Sequence, residues 1–172
     1  MNLKDLKFEP INLQKDSAIC VKFRADSFSA SFGHDRDFWG EDGQGDRRYL
    51  EWLNKKLSLS PQMAFHLWNR AEIIGQVELD FYKGDNKVGY VNLYYLSPSY
   101  RGCGVSTLLD QFVVNFFISL GLNKILLSVS PDNKRALTFY EKHGWKDLGA
   151  RFSDDELKKN KIPQVHLMEK AI

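Results

Sequence analysis

Between residues 88 and 130 the hydrophobic pattern changes period twice, and that change restricts the fold more than any other feature. Val88 to Leu96 reads as a strand. From Val105 the apolar residues Val105, Leu108, Leu109, Phe112, Val113 and Phe116 recur at i, i+3, i+4, i+7, i+8 and i+11, which is one face of a helix. Gly121 is a natural C-terminal stop. Ile125 to Val129 is short, apolar and β-branched, as a buried strand should be. Strand, long helix, strand is a crossover unit, and a crossover of that length joins parallel strands. The chain must therefore be α/β.

The flanking segments extend the sheet on both sides. Asp16 reads as an N-cap, followed by Ala18, Val21, Ala25 and Phe28 at helical spacing. Gly33 to Asp46 holds five carboxylates against Arg36, and four glycines, and reads as a mobile acidic loop. A second helix is expected from Asp46 to about Pro61, with Tyr49, Leu50, Leu53 and Leu57 on one face. Met63 to Trp68 and Ile73 to Tyr82 alternate with period two, the second placing Gln76, Glu78 and Asp80 on a polar face. Lys83 to Asn86 reads as a hairpin turn, making an antiparallel meander. A helix from Asp132 to His143 and strands at Trp145–Arg151 and Gln164–Lys170 complete a mixed sheet of about seven strands with flanking helices.

At 172 residues the chain is expected to be one domain, 1–172. Its 43% apolar and 27% charged content is ordinary globular composition. Lys plus Arg total 24 and Asp plus Glu 22, so no global charge points to nucleic acid. No apolar run approaches the ~20 residues of a membrane span. The opening MNLKDLKFEP does not resemble a signal peptide, and Cys20 and Cys103 form no disulfide framework, so a cytoplasmic location is expected.

The segment with chemical content is Leu96-Ser97-Pro98-Ser99-Tyr100-Arg101-Gly102-Cys103-Gly104-Val105-Ser106-Thr107. A strand ends, two glycines follow, and a helix begins. The first turn of a helix carries unpaired N–H groups and positive potential, and glycines let an anion approach them. A diphosphate would fit. The glycines alone fit equally well a tight turn that does no more than start a helix. No Walker Gly-Lys-Ser/Thr run is present, and Thr107 occupies the last glycine position of a dinucleotide fingerprint.

Arg101-Gly102-Cys103-Gly104-Val105-Ser106 resembles the phosphate motif of the GNAT superfamily of acetyl-coenzyme A-dependent N-acetyltransferases, Arg/Gln-x-x-Gly-x-Gly/Ala, departing only in Ser106. Asn133-Lys134-Arg135-Ala136, followed by Tyr140 and Gly144-Trp145, resembles that family's second hallmark, with Trp for Phe. The resemblance covers about Ile73 to Gly149 and is weak over the first 60 residues. It implies a GNAT-like fold with a splay between the fourth and fifth strands. It also implies acetyl-CoA as cosubstrate, with its pantetheine arm along Tyr94 and Leu96. The diphosphate would rest on the amides of Arg101, Gly102, Cys103, Gly104, Val105, Ser106 and Thr107. Asn133 would bond the arm, and Tyr140 would protonate the departing thiolate. A Leu96 amide would meet charge developing on the thioester oxygen.

The expected reaction is direct attack by a primary amine in a ternary complex. The acceptor is a small molecule or a protein amine. A catalytically weak CoA-binding regulatory module is the alternative. Where several relatives carry a Glu base, this chain has Tyr90, with Asn92 and Tyr94 on the same face. Glu78 is the substitute base by position, a water relay through Tyr90 and Asn92 competes with it, and a solvated strand charge is the plain alternative. Cys103 is expected to be incidental. His34, His66, His143 and His166 are scattered, so no metal site is expected. Nucleic acid and membrane are not expected as partners, and a homodimer is possible for the superfamily. The acidic loop is expected to attract a cationic acceptor.

Overall fold

The computed structural model describes residues 5–83, 85–160 and 162–172. Gly84 of the expected hairpin turn and the first four residues of the N-terminus lie outside them. The elements run β1 (Leu6–Pro10), α1 (Leu13–Phe32), α2 (Arg36–Trp39), α3 (Gly45–Leu59), β2 (Ala64–Asn69), β3 (Glu72–Tyr82), β4 (Asp85–Leu96), α4 (Val105–Ser119), β5 (Lys124–Val129), α5 (Lys134–Lys142), β6 (Lys146–Ala150), α6 (Asp154–Asn160) and β7 (His166–Ala171). The seven strands form one sheet in the order β1-β2-β3-β4-β5-β7-β6. β4 and β5 are parallel, as the crossover requires, and pair Gly89 with Ile125, Tyr90 with Leu126 and Val91 with Leu127. β7 enters between β5 and β6 and is antiparallel to both.

The contacts divide into two compact units. One holds residues 1–79 and 93–109, and the other holds 80–92 and 110–172. In the first, α1 starts at Leu13, and its N-cap is Asn12 rather than Asp16. The Asn12 side chain accepts from Gln14 N. Asp16 accepts in return from Asn12 N, so the two residues satisfy each other's end of the helix.

The acidic segment is not all loop, since Arg36–Trp39 form α2. α2 turns Phe38 into the core, where it packs 5.8 Å from the Phe28 ring and 6.0 Å from that of Tyr49. Asp35 accepts from Trp39 Nε1, and Asp42 pairs with Arg48. Apolar burial holds Phe38, and Asp35, Asp42 and Asp46 of the five carboxylates accept hydrogen bonds within the chain. β1, absent from the sequence reading, pairs antiparallel with β2 from Leu6↔Asn69 to Pro10↔Phe65.

The second unit is built on the buried residues Ile125, Leu126 and Leu127 of β5 with Val113 and Phe117 of α4. Gly89 permits the contact. A Cβ there would lie 2.7 Å from Ile125 Cγ2 and 2.8 Å from the Phe117 ring. α6, also absent from the sequence reading, is capped by Ser153, whose N–H and hydroxyl both donate to Glu156.

Candidate active site

In the first unit the chain leaves β4 through a 3-10 turn at Pro98–Tyr100 and enters α4 at Val105. Gly102 and Gly104 have φ of +80° and +86°, a left-handed conformation that disfavours any side chain. A Cβ at either would meet no heavy atom within 4 Å. The packing would accommodate a side chain at both positions, so close packing does not explain the glycines. The backbone conformation does, and it leaves open space beside the first N–H groups of α4. Thr107 N is taken by Gly104 O at 3.1 Å, while Val105 and Ser106 begin the helix. Cys103 is exposed and donates its thiol to Tyr100 O at 3.0 Å.

Arg101 turns its side chain back onto the strand. Nε donates to Leu96 O at 2.7 Å, and the guanidinium lies 5.7 Å from the Tyr95 ring centroid. The Tyr95 hydroxyl in turn donates to Asp26 on α1. The Arg101 amide donates to Pro98 O at 3.2 Å, so both the side chain and the N–H of this residue have partners within the chain. Ser97 donates its amide to Ile74 O on β3, and successive amides of a strand point to opposite edges. The Leu96 amide therefore faces away from β3. Tyr94, two residues before Leu96 and half-buried, shares that orientation.

Glu78 is also in the first unit and is not a solvated strand charge. It has no exposed surface. Its Oε1 accepts from the Tyr49 hydroxyl at 2.6 Å and from Gln76 Nε2 at 2.8 Å, and its Oε2 from Arg24 at 3.2 Å. Gln76 continues the chain to His66 Nε2 at 3.0 Å, and that nitrogen stands 3.5 Å from Cys20 Sγ. Burial pushes the His66 imidazole below its ordinary value and the Cys20 thiol far above its own, so neither is a charged group or a nucleophile at neutral pH.

In the second unit, Asn133 caps α5, its Oδ1 accepting from Ala136 N at 3.1 Å. The cap uses the oxygen and leaves the amide nitrogen for other work. Two turns on, Tyr140 is buried, with its ring 5.6 Å from that of Trp145. Trp145 Nε1 donates to Asp110 Oδ1, and Lys170 donates to Asp110 Oδ2. Burial first, and then the Asp110 charge, push the Tyr140 phenol above its ordinary pKa of 10.0. It therefore keeps its proton at any working pH. The sequence reading did not find Asp110, because a lone Asp on an amphipathic helix reads as solvated.

The same unit holds an open cleft of about 530 Å³, lined among others by Asp80, Tyr82, Tyr90, Asn92 and Arg151. Tyr90 and Asn92, the residues in place of a strand carboxylate, both face it. Arg151, also missed in the sequence, donates from Nη1 to the Tyr90 hydroxyl at 2.6 Å and to Ser128 Oγ at 2.7 Å. Among the described residues, no group of three or more His, Cys, Asp or Glu could hold a metal ion.

Comparison with known proteins agrees with this geometry. The chain is 30% identical over 87 residues to N-alpha-acetyltransferase 30 of Schizosaccharomyces pombe, which is 49% of this chain and 58% of that protein. It thus spans little more than half the length of that relative. Its fold is that of the PaiA N-acetyltransferase from Thermoplasma acidophilum in complex with coenzyme A, with a TM-score of 0.73, 17% identity and 97% and 99% of the two chains covered. It is similarly that of spermidine N-acetyltransferase from Vibrio cholerae in complex with CoA and spermine, with a TM-score of 0.69, 18% identity and 98% and 96% covered. The model of the acetyltransferase (GNAT) family matches residues 26–145, which include β2 to β5, the glycine turn and both hallmark segments, and this chain belongs to that family.

Proposed function

We propose that the chain transfers an acetyl group from acetyl-CoA to a primary amine, by direct attack while both are bound. The observation that carries this reading is the turn at residues 101–107, where two left-handed glycines open onto the first turn of α4. Acetyl-CoA would supply an activated thioester. Of the seven amides from Arg101 to Thr107, those of Gly102, Cys103, Gly104, Val105 and Ser106 would hold its diphosphate, while Arg101 N and Thr107 N donate to Pro98 O and Gly104 O and shape the turn. The backbone at Tyr94 and Leu96 would run beside its pantetheine arm as an added strand does. The Leu96 carbonyl is committed to Arg101, so Leu96 contributes its amide, a donor aimed at the thioester oxygen. Asn133 would reach the arm with its amide nitrogen.

Tyr140 would give its proton to the departing thiolate, a role for which a phenol held protonated is suited. An alkylamine with a pKa near ~10.4 must lose a proton before it attacks. Glu78 enters as a scaffold carboxylate rather than the base, because both its oxygens are engaged and it meets no solvent. The proton is passed to water through the cleft at Tyr90 and Asn92. A cytoplasmic setting fits two free cysteines, and no described helix is long and apolar enough to cross a membrane.

The test is a panel of primary amines, from small polyamines and amino acids to peptide N-termini, scored by the thiol of released CoA. Release that depends on both the amine and acetyl-CoA is expected. The absence of a carboxylate at Tyr90 favours a second reading, a module that binds CoA for regulation. Tight acetyl-CoA binding by calorimetry, with no CoA released by any amine, would select it. Sedimentation of the same sample reads whether the chain pairs with a second copy.

A further inference from the structure

We propose that the acceptor is a small amine that also bears a carboxylate, such as an amino acid, and that Arg151 receives the carboxylate in the cleft beside Tyr90. This rests on the acetyl-transfer reading above and names its substrate class. Arg151 is half-buried, and its guanidinium lies 5.9 Å from the Tyr82 ring centroid, 5.3 Å from that of Tyr90 and 5.2 Å from that of Phe152. The ring faces attract the cation but accept little from its in-plane N–H donors, which need oxygen partners. Arg24, Arg47, Arg48 and Arg70 each meet a carboxylate. Arg151 is bonded instead to two hydroxyls, and among the described residues it forms no ion pair.

The geometry suits an incoming anion. Both hydroxyl bonds use Nη1, so the Nη2–Nε edge remains, and that edge gives a carboxylate two parallel bonds. The fork is presented from a fixed backbone. Arg151 N donates to Val165 O at 2.8 Å, and Gln164 Nε2 donates to Phe152 O at 2.9 Å. Asp80 and Asn92 line the same cleft. A cleft of about 530 Å³ has room for a molecule held at both ends.

The experiment measures kcat/KM by CoA release for matched acceptors: an amino acid against its amide, and an ω-amino carboxylate against the alkylamine of equal length. The carboxylate member should be favoured by about tenfold to a hundredfold, the usual size for hydrogen bonds to a charged group. In Arg151→Gln that ratio should fall to near one, and Arg151→Lys should keep part of it. A wild-type ratio near one overturns the proposal, as does a ratio that survives Arg151→Gln. Preference for ethanolamine phosphate over every amino acid also overturns it, in favour of a phosphate. If acetyl-CoA binds but no amine releases CoA, the transfer reading fails. Calorimetry of the same pairs on the CoA-loaded protein then decides the Arg151 assignment by the same ratio.

Discussion

Replacing Glu78 separates a buried structural carboxylate from a catalytic base. Glu78→Ala removes the acceptor of the Tyr49 hydroxyl, of Gln76 Nε2 and of Arg24 Nη1. Gln76 keeps the Tyr49 oxygen at 2.9 Å, so its loss is partial. Arg24, with 23% of its side chain exposed, turns to water at small cost. The Tyr49 hydroxyl has no such exit. An orphaned buried donor costs about 1–3 kcal/mol, and breaking a buried charged network costs about 3–5 kcal/mol. That is a large part of a total stability of about 5–15 kcal/mol. At about 2–4 °C per kcal/mol for a chain of this size, the melting temperature should fall by roughly 6–20 °C.

Glu78→Gln keeps the volume and one acceptor oxygen, and it should lose about half as much. The assay is denaturation by heat and by urea, followed by tryptophan fluorescence, with turnover measured at ~15 °C where the variant stays folded. Little loss of turnover per folded molecule is expected. A melting temperature within ~2 °C of wild type, together with turnover down a hundredfold, would refute the structural assignment and make Glu78 the base.

His66 gives a pH dependence. Burial depresses its folded pKa below the ordinary 6.5, so beneath that pH the unfolded chain takes up a proton that the native chain refuses. Stability should therefore fall as pH drops from about 6.5 towards the lower folded value, and His66→Gln should flatten that stretch of a urea-midpoint series. Gly104→Ala forces a side chain into φ +86° and places a methyl in the open space of the turn, so acetyl-CoA affinity by calorimetry should drop about tenfold or more. Unchanged affinity would remove the diphosphate from this turn. Tyr140→Phe should lower kcat ~10²-fold with acetyl-CoA affinity kept, and equal turnover would return Tyr140 to a packing role.

The parts legible in the sequence were those whose signal is local. The helical stripe from Val105 and the apolar run at Ile125 are set by burial on one face or on both. They yielded α4, β5 and the parallel pair directly. The glycine turn was legible because no ordinary residue adopts φ near +80° without strain. β1 was not legible, since five residues on an edge carry half a hydrophobic pattern and end in Pro10. The order in Gly33 to Asp46 comes from Phe38 reaching Phe28 and Tyr49, contacts the local composition does not announce.

Glu78 shows where pattern reading stops. Period two in β3 correctly separates Val77 and Leu79 from Gln76 and Glu78, but it does not say which face meets water. Here both faces are covered from Ile74 to Leu79. The polar face is covered by α1 and α3, and each brings a group of matching chemistry: Arg24 and Cys20 from α1, and Tyr49 from α3. Read separately, Arg24 is a helix charge, Tyr49 an apolar-face aromatic and Glu78 a strand charge. Only their convergence makes burial affordable, since a carboxylate leaves water at tolerable cost when donors fill its lone pairs. Arg151 differs. Its sequence context is a strand end followed by Phe152, which fits an exposed charge, yet three rings and two hydroxyls hold it, and among the described residues it forms no ion pair, although Asp80 lines the same cleft. Glu78 has both oxygens filled by donors of its own chain, which fits a scaffold carboxylate, whereas Arg151 is bonded through Nη1 alone, and its other edge is what the proposed acceptor carboxylate would fill.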